Sequence, residues 1–175
     1  NEETARGAIR LTEDIGAYDL YLKGRNLLRG QRDEKTLRAA LEFFDAASKK
    51  DPAFALAYTG VTDASLYMYD LQKDPVWTVR ALGAANRAQT LNDNLPEVHI
   101  SLGKTYRKTG KSAQAIAELK RALELAPNSD EGYRGLGRAY LDAGRTDEGL
   151  AAMNKAVEAN TSYWSNYNTL GNSYL

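Results

Sequence analysis

The 175-residue chain sets 23 Lys and Arg against 23 Asp and Glu, so no global basic field argues for a nucleic-acid partner. It has no cysteine, which removes disulfides and thiolate zinc sites and leaves the compartment open, with the cytoplasm favoured. Hydrophobic residues make up 43%, and no apolar run in this segment approaches the roughly 18 residues a membrane span needs.

Asn1 to Gly16 is polar, lacks the apolar core of a signal peptide and reads as a lead-in. The start on Asn rather than Met points to a segment of something longer. From Ala17, the residues Tyr18, Tyr21, Leu22, Leu27 and Leu28 fit a helix that closes at Gly30, where glycine suits a left-handed terminus. Asp33 is placed to cap the next helix, whose apolar stripe is Leu37, Ala40, Leu41, Phe44 and Ala47. Asp51-Pro52 ends it. Phe54, Tyr58, Val61, Ser65 and Leu66 carry a third helix, and Asp74-Pro75 starts a fourth with Val79, Leu82, Ala85, Ala88 and Leu91 on its stripe.

Beyond Leu95 the chain repeats itself. Leu102, Gly103, Tyr106 and Gly110 return 34 residues later as Leu136, Gly137, Tyr140 and Gly144, and again as Leu170, Gly171 and Tyr174. Ala88, Ala122 and Ala156 keep the same step, whereas Ala47 to Ala88 spans 41 residues, so the second unit holds seven extra. A period of this length means stacked helical hairpins. The expected fold is all-α: a superhelical solenoid of antiparallel hairpins, with units at about 17–54, 55–95, 96–129 and 130–163 and one helix of a fifth at 164–175. Within it Ser112 and Thr146 are expected to cap second helices, and Ser129 or Asn128 the first helix of the fourth unit.

The spacing resembles the tetratricopeptide repeat (TPR), whose pattern asks for Leu at position 7, a small residue at 8, Tyr at 11, Ala at 20 and 27, a large apolar residue at 24 and Pro at 32. Pro96–Ser129 supplies Leu102, Gly103, Tyr106, Ala115, Leu119, Ala122 and Pro127. Asp130–Tyr163 supplies Leu136, Gly137, Tyr140, Met153 and Ala156, with Gly149 at position 20. The first unit matches at Ala40, Phe44, Ala47 and Pro52, and the second at Tyr58, Val61, Ala81 and Ala88. The glycines at position 8 and the alanines at 27 are expected to bring the two helices of a hairpin close. The stretches AYDLYLKGRNLL and AALEFFDAASKKDPAFALAYTGVTDA are further similar to arrays found C-terminal to other domains in bacterial signalling proteins.

Catalytic chemistry has little to build on. His99 is the only histidine and occupies a helix-packing slot, so no nucleophile–base pair of the usual kind can be assembled. Gly110-Lys111-Ser112 lacks the glycine a phosphate loop needs five residues earlier, where Thr105 stands. No acidic cluster has metal-ligand spacing, and no cofactor is implied. The chain is read as a non-enzyme.

The informative feature is a stripe on the first helix of each unit. Positions 5, 9 and 12 lie one residue round from the packing positions, and in arrays that resemble this one they line a concave groove. They are Ile100, Lys104 and Arg107, then Arg134, Arg138 and Leu141, then Asn168 and Asn172, with Lys108 adjoining. Tyr21 and Arg25 come from the first unit, and Thr59 and Asp63 from the second, while Glu97 and Glu131 at position 2 dilute the positive charge. The candidate groove residues are therefore Arg25, Lys104, Arg107, Lys108, Arg134, Arg138, Asn168 and Asn172. Arginine forks suit carboxylates, and asparagine amides suit a peptide backbone. The expected function is a protein–protein interaction scaffold that holds an extended, acidic peptide or protein segment, as part of a larger bacterial signalling protein. The alternative is a structural segment that organises attached domains or self-associates end to end through 164–175, with no groove ligand.

Overall fold

In the computed structural model, residues 12–159 are described. The expected fifth-unit helix, Asn168, Asn172, the end-to-end contact surface and most of the lead-in lie outside them. Eight helices follow in order: α1 (Ile15–Arg29), α2 (Glu34–Lys50), α3 (Ala55–Gln72), α4 (Val76–Leu91), α5 (Pro96–Lys108), α6 (Ser112–Leu125), α7 (Asp130–Asp142) and α8 (Thr146–Ala159). The described residues contain no strand. Consecutive helices pair as four antiparallel hairpins.

Local chemistry sets the boundaries. Asp33 accepts the Thr36 amide at 2.7 Å and Ser129 accepts the Gly132 amide at 3.0 Å, as capping side chains do at otherwise orphaned N–H groups. Asp74 accepts the Val76 amide at 2.9 Å ahead of α4. The first helices of the third and fourth hairpins end alike. Gly110 and Gly144 both take φ +73°, and the amides of Lys111 and Arg145 reach back to the carbonyls of Tyr106 and Tyr140 at 2.9 Å. Three terminal details differ from expectation. Gly30 has φ −87° and ψ −150°, extended rather than left-handed, so its role does not demand glycine. Ser112 and Thr146 are the first residues of their helices, with Lys111 and Arg145 in the preceding slots whose carbonyls accept the Ala115 and Gly149 amides.

Each second helix also packs on the first helix of the next hairpin: α2 on α3, α4 on α5, α6 on α7. First helices touch one another (α1–α3, α3–α5, α5–α7), but second helices make no comparable pairing among the described residues. The stack therefore bends with its first helices inside and its second helices outside. The stripe under consideration lies on that inner wall.

A repeated wedge holds the hairpins together. The large residue of three second helices, Phe44 on α2, Leu119 on α6 and Met153 on α8, is buried where a first helix carries glycine. A Cβ added at Gly103 would meet Leu119 Cγ at 2.5 Å, and one at Gly135, on the next hairpin, would meet Leu119 Cδ2 at 2.6 Å. Gly24 and Gly60 flank Phe44 in the same way, and Gly137 faces Met153. The second hairpin inverts the shapes. Its wedge residue is Ala85, and the corresponding glycine slots hold Thr62 and Ser101, all three buried. The Thr62 hydroxyl reaches the Ala81 carbonyl across the hairpin at 3.3 Å. Ala47, Ala88, Ala122 and Ala156 are all 0% exposed, as close helix approach requires. Val79 is a correction: it is 70% exposed, because the buried face of α4 runs Trp77, Ala81, Ala85 and Ala88. Tyr18 and Leu22 likewise lie on an exposed face of α1.

Candidate functional site

Four first helices supply the inner wall, and position 9 of each faces its neighbours: Arg25, Asp63, Lys104 and Arg138. Position 5 does not line the groove as expected in the first three hairpins. Tyr21, Thr59 and Ile100 are buried, because the contact between successive first helices covers them. The groove surface is thus narrower than a helical wheel implies.

The candidate cations come together, but they bring carboxylates with them. Arg25 NH1 meets Asp63 Oδ2 at 3.0 Å, Asp63 Oδ1 accepts Lys104 Nζ at 2.9 Å, and Lys104 Nζ meets Glu131 Oε1 at 2.6 Å. One ladder of alternating charge therefore crosses all four first helices. Beside it, Lys108 pairs with Asp70, and Arg107 Nε meets Asp142 Oδ2 at 2.8 Å. Arg134 lies 3.7 Å from Asp130 on its own helix. The expected basic stripe is thus largely neutralised from within. Asp63 and Glu131 were visible in the sequence on this face, whereas Asp70 lies two turns past Asp63 and Asp142 one residue past Leu141.

Proton affinities follow this arrangement. Burial opposes the Lys104 charge, but Asp63 and Glu131 outweigh it and raise the ammonium pKa well above its usual range. Lys104 in turn holds the Glu131 carboxyl below the ordinary carboxylate value against the effect of burial. Tyr67, on α3, is raised by burial and then by Asp63, and the Arg32 guanidinium stacks 3.9 Å above its ring. Arg138 moves the other way. Enclosure by the groove walls lowers its pKa, and repulsion from Arg107 and Arg134 adds to the fall. Arg107 and Arg134 therefore both act on Arg138, although Asp142 and Asp130 lie beside them.

His99 fits its packing role. It is 3% exposed, with Nδ1 2.7 Å from Glu118 Oε2 and Nε2 2.8 Å from the Asp93 carbonyl, so both ring nitrogens are engaged. Among the described residues no group of three or more His, Asp or Glu is placed to hold a metal ion. No described helix is long and apolar enough to cross a membrane.

An inner wall of first helices, wedged hairpins and a 34-residue step define a tetratricopeptide-repeat fold. Residues 100–163 match the tetratricopeptide repeat family model. A thermophilic TPR protein of Thermus thermophilus shares the fold with TM-score 0.79 and 24% identity, over 99% of this chain and 86% of that one. YrrB, described as a TPR protein with an unusual peptide-binding site, aligns with TM-score 0.55 and 21% identity over 98% and 81%. MamA from Desulfovibrio magneticus aligns with TM-score 0.59 and 18% identity over 93% and 85%. No match is found among curated proteins.

Proposed function

We propose that the array is a protein–protein interaction scaffold whose inner groove holds an extended peptide or protein segment, with preference for acidic sequence. The observation that carries this reading is the ladder Arg25–Asp63–Lys104–Glu131, which ties four first helices into one preformed wall. A rigid wall lowers the ordering cost of binding an extended chain. The acidic preference draws on Arg107, Arg134 and Arg138 at the α5–α7 end, where cations crowd. The bacterial signalling setting rests on the resemblance of the first two hairpins to arrays in such proteins, and the complete reading frame would test it.

Immobilised extended peptides graded from basic to acidic, probed with the 175-residue chain, test the reading. Acidic peptides should be retained, less so in high salt. Replacing Arg134 and Arg138 by Glu should reverse the preference. Binding indifferent to both salt and charge reversal would sink the acidic-groove reading.

A second reading is end-to-end assembly. It draws on Ile15, Tyr18 and Leu22, which leave 87%, 39% and 46% of their surfaces exposed along the outer side of α1. Sedimentation of the chain with these three changed to Gln should give monomer where the unchanged chain associates.

A further inference from the structure

The first turn of α5 buries the chain's only histidine between two acceptors. His99 Nε2 lies 2.8 Å from the backbone carbonyl of Asp93, in the connection from α4, and Nδ1 lies 2.7 Å from Glu118 Oε2 on α6. A carbonyl oxygen only accepts, so Nε2 must donate to it. The Glu118 contact then needs a proton of its own, and imidazole, the stronger base of the two, places it on Nδ1. A neutral imidazole carries one N–H and an ionised carboxylate none, so the site holds one proton more than that pair supplies. With 3% of its surface exposed, the ring has little water to turn to. The charges around it agree with this count. The Asp93 carboxylate is 3.7 Å from Nε2, so two acids flank the ring. From α4, Gln89 donates to Asp93 Oδ1, while Arg80 engages Asp45 and Arg87 is exposed. On α6, Arg121 pairs with Glu124 and Lys120 lies over the Tyr140 ring. The cations of α5 itself, Lys104, Arg107 and Lys108, pair with acids of α3 and α7.

We propose that His99 is a proton-dependent latch between the second and third hairpins. With the extra proton bound, one ring ties α5 both to α6 and to the connection arriving from α4. When the proton leaves, the charge-assisted bond to Glu118 outlasts the bond to a neutral carbonyl. The Nε2 lone pair then faces the Asp93 carbonyl oxygen, two acceptors that repel, and the connection is released. Rising pH thus loosens the junction that leads into α5, the helix carrying Lys104 of the ladder. The device needs no ligand and stands apart from the groove reading.

The test uses the full 175-residue chain with 15N-labelled histidine, whose single ring reports Nδ1 and Nε2 separately. Both nitrogens should read as protonated at about pH 5, and the Nε2 proton should be lost as pH rises toward about 8, the span in which imidazoles titrate. The amides of Asn92 and Val98 bond to carbonyls on either side of the connection. Their protection against hydrogen exchange should fall about tenfold over the same span, while that of Tyr133 at the start of α7 holds. Glu118→Gln separates the latch from simple packing. Its amide can donate to a neutral Nδ1 while Nε2–H keeps the Asp93 carbonyl, so both ties survive without the extra proton. Protection in that variant should no longer vary with pH. A ring that is neutral at the acid end of this span in the folded chain would overturn the inference. So would loss of the Nδ1 proton in place of the Nε2 proton, protection at Asn92 and Val98 that ignores pH, or a fall that persists unchanged in Glu118→Gln.

Discussion

Adding one methyl group at Gly60 should destabilise this protein, and removing the ring opposite should turn the same methyl into a stabilising change. A Cβ at Gly60 would lie 2.3 Å from Phe44 Cδ1, 2.4 Å from Cε1 and 2.7 Å from Cγ. Comfortable carbon–carbon contact is about 3.5–4.0 Å, so the ring must withdraw by roughly 1 Å. It is fully buried, its same edge meets Gly24 of α1, and Tyr21 packs on it at 5.9 Å between centroids. Overpacking of this kind costs about 1–3 kcal/mol, and exchanging Gly for Ala inside a helix returns about 0.5–1 kcal/mol. Gly60→Ala should therefore lower stability by about 1–2 kcal/mol. Phe44→Ala alone should cost about 3–5 kcal/mol. In that background the clash is gone, and Gly60→Ala should raise stability by about 0.5–1 kcal/mol. Urea unfolding of the four chains, followed by far-UV circular dichroism, measures the coupling. Amide exchange in α2 and α3 localises it, since repeat arrays need not unfold in one step. If Gly60→Ala changed stability with the same sign and size in both backgrounds, the wedge account of hairpin stacking would be wrong.

Three further perturbations probe the inner wall and the core. Asp63→Asn removes the carboxylate shared by Arg25 and Lys104. Because both cations keep contact with water, the loss should be about 1–2 kcal/mol rather than the larger cost of a fully buried pair, read as a fall of several degrees in thermal midpoint. Glu131 has its folded pKa below 4.5, so it contributes stability above that value and loses it as pH falls through the lower folded one. Glu131→Gln should accordingly flatten the acid-side decline of the thermal midpoint below about pH 4.5, and an unchanged pH profile would contradict the Lys104 pairing. Ser65 is 0% exposed and its hydroxyl has no hydrogen-bond partner, so Ser65→Ala should raise the urea midpoint, by about 1 kcal/mol in stability.

The repeat itself was the most readable part of the chain. Leu102, Gly103, Tyr106 and their echoes at 34 residues fixed the phase, and helix ends at Asp33, Pro96 and Ser129 followed from local capping chemistry. The irregular second hairpin was harder. Ala85 and Thr62 look like departures from the pattern until both are seen as one exchange of volume across an interface. Val79 misled because a wheel marks apolar positions without saying which of them a neighbour covers. Position 9 of successive first helices shares one face, as the wheel implied, but that face carries carboxylates as well as cations. Reading cations one helix at a time hid the acids on adjacent helices, although Asp63 standing between Arg25 and Lys104 in the position-9 series was the available signal. Asp142 and Asp70 needed coordinates, because which long side chain spans two helices is decided by distance and not by sequence spacing.

The inverted shapes at Ala85, Thr62 and Ser101 also give the chain a sense of order. Where neighbouring modules are near copies, a hairpin can slide past its proper place or trade partners with another molecule. A junction cut for a small residue accepts no bulky one, so the third hairpin can dock correctly only behind the second. Duplicating the fourth hairpin after itself would set Met153 against Gly135 and keep a large-into-glycine joint, whereas moving the third ahead of the second would leave one seam overfilled and another hollow.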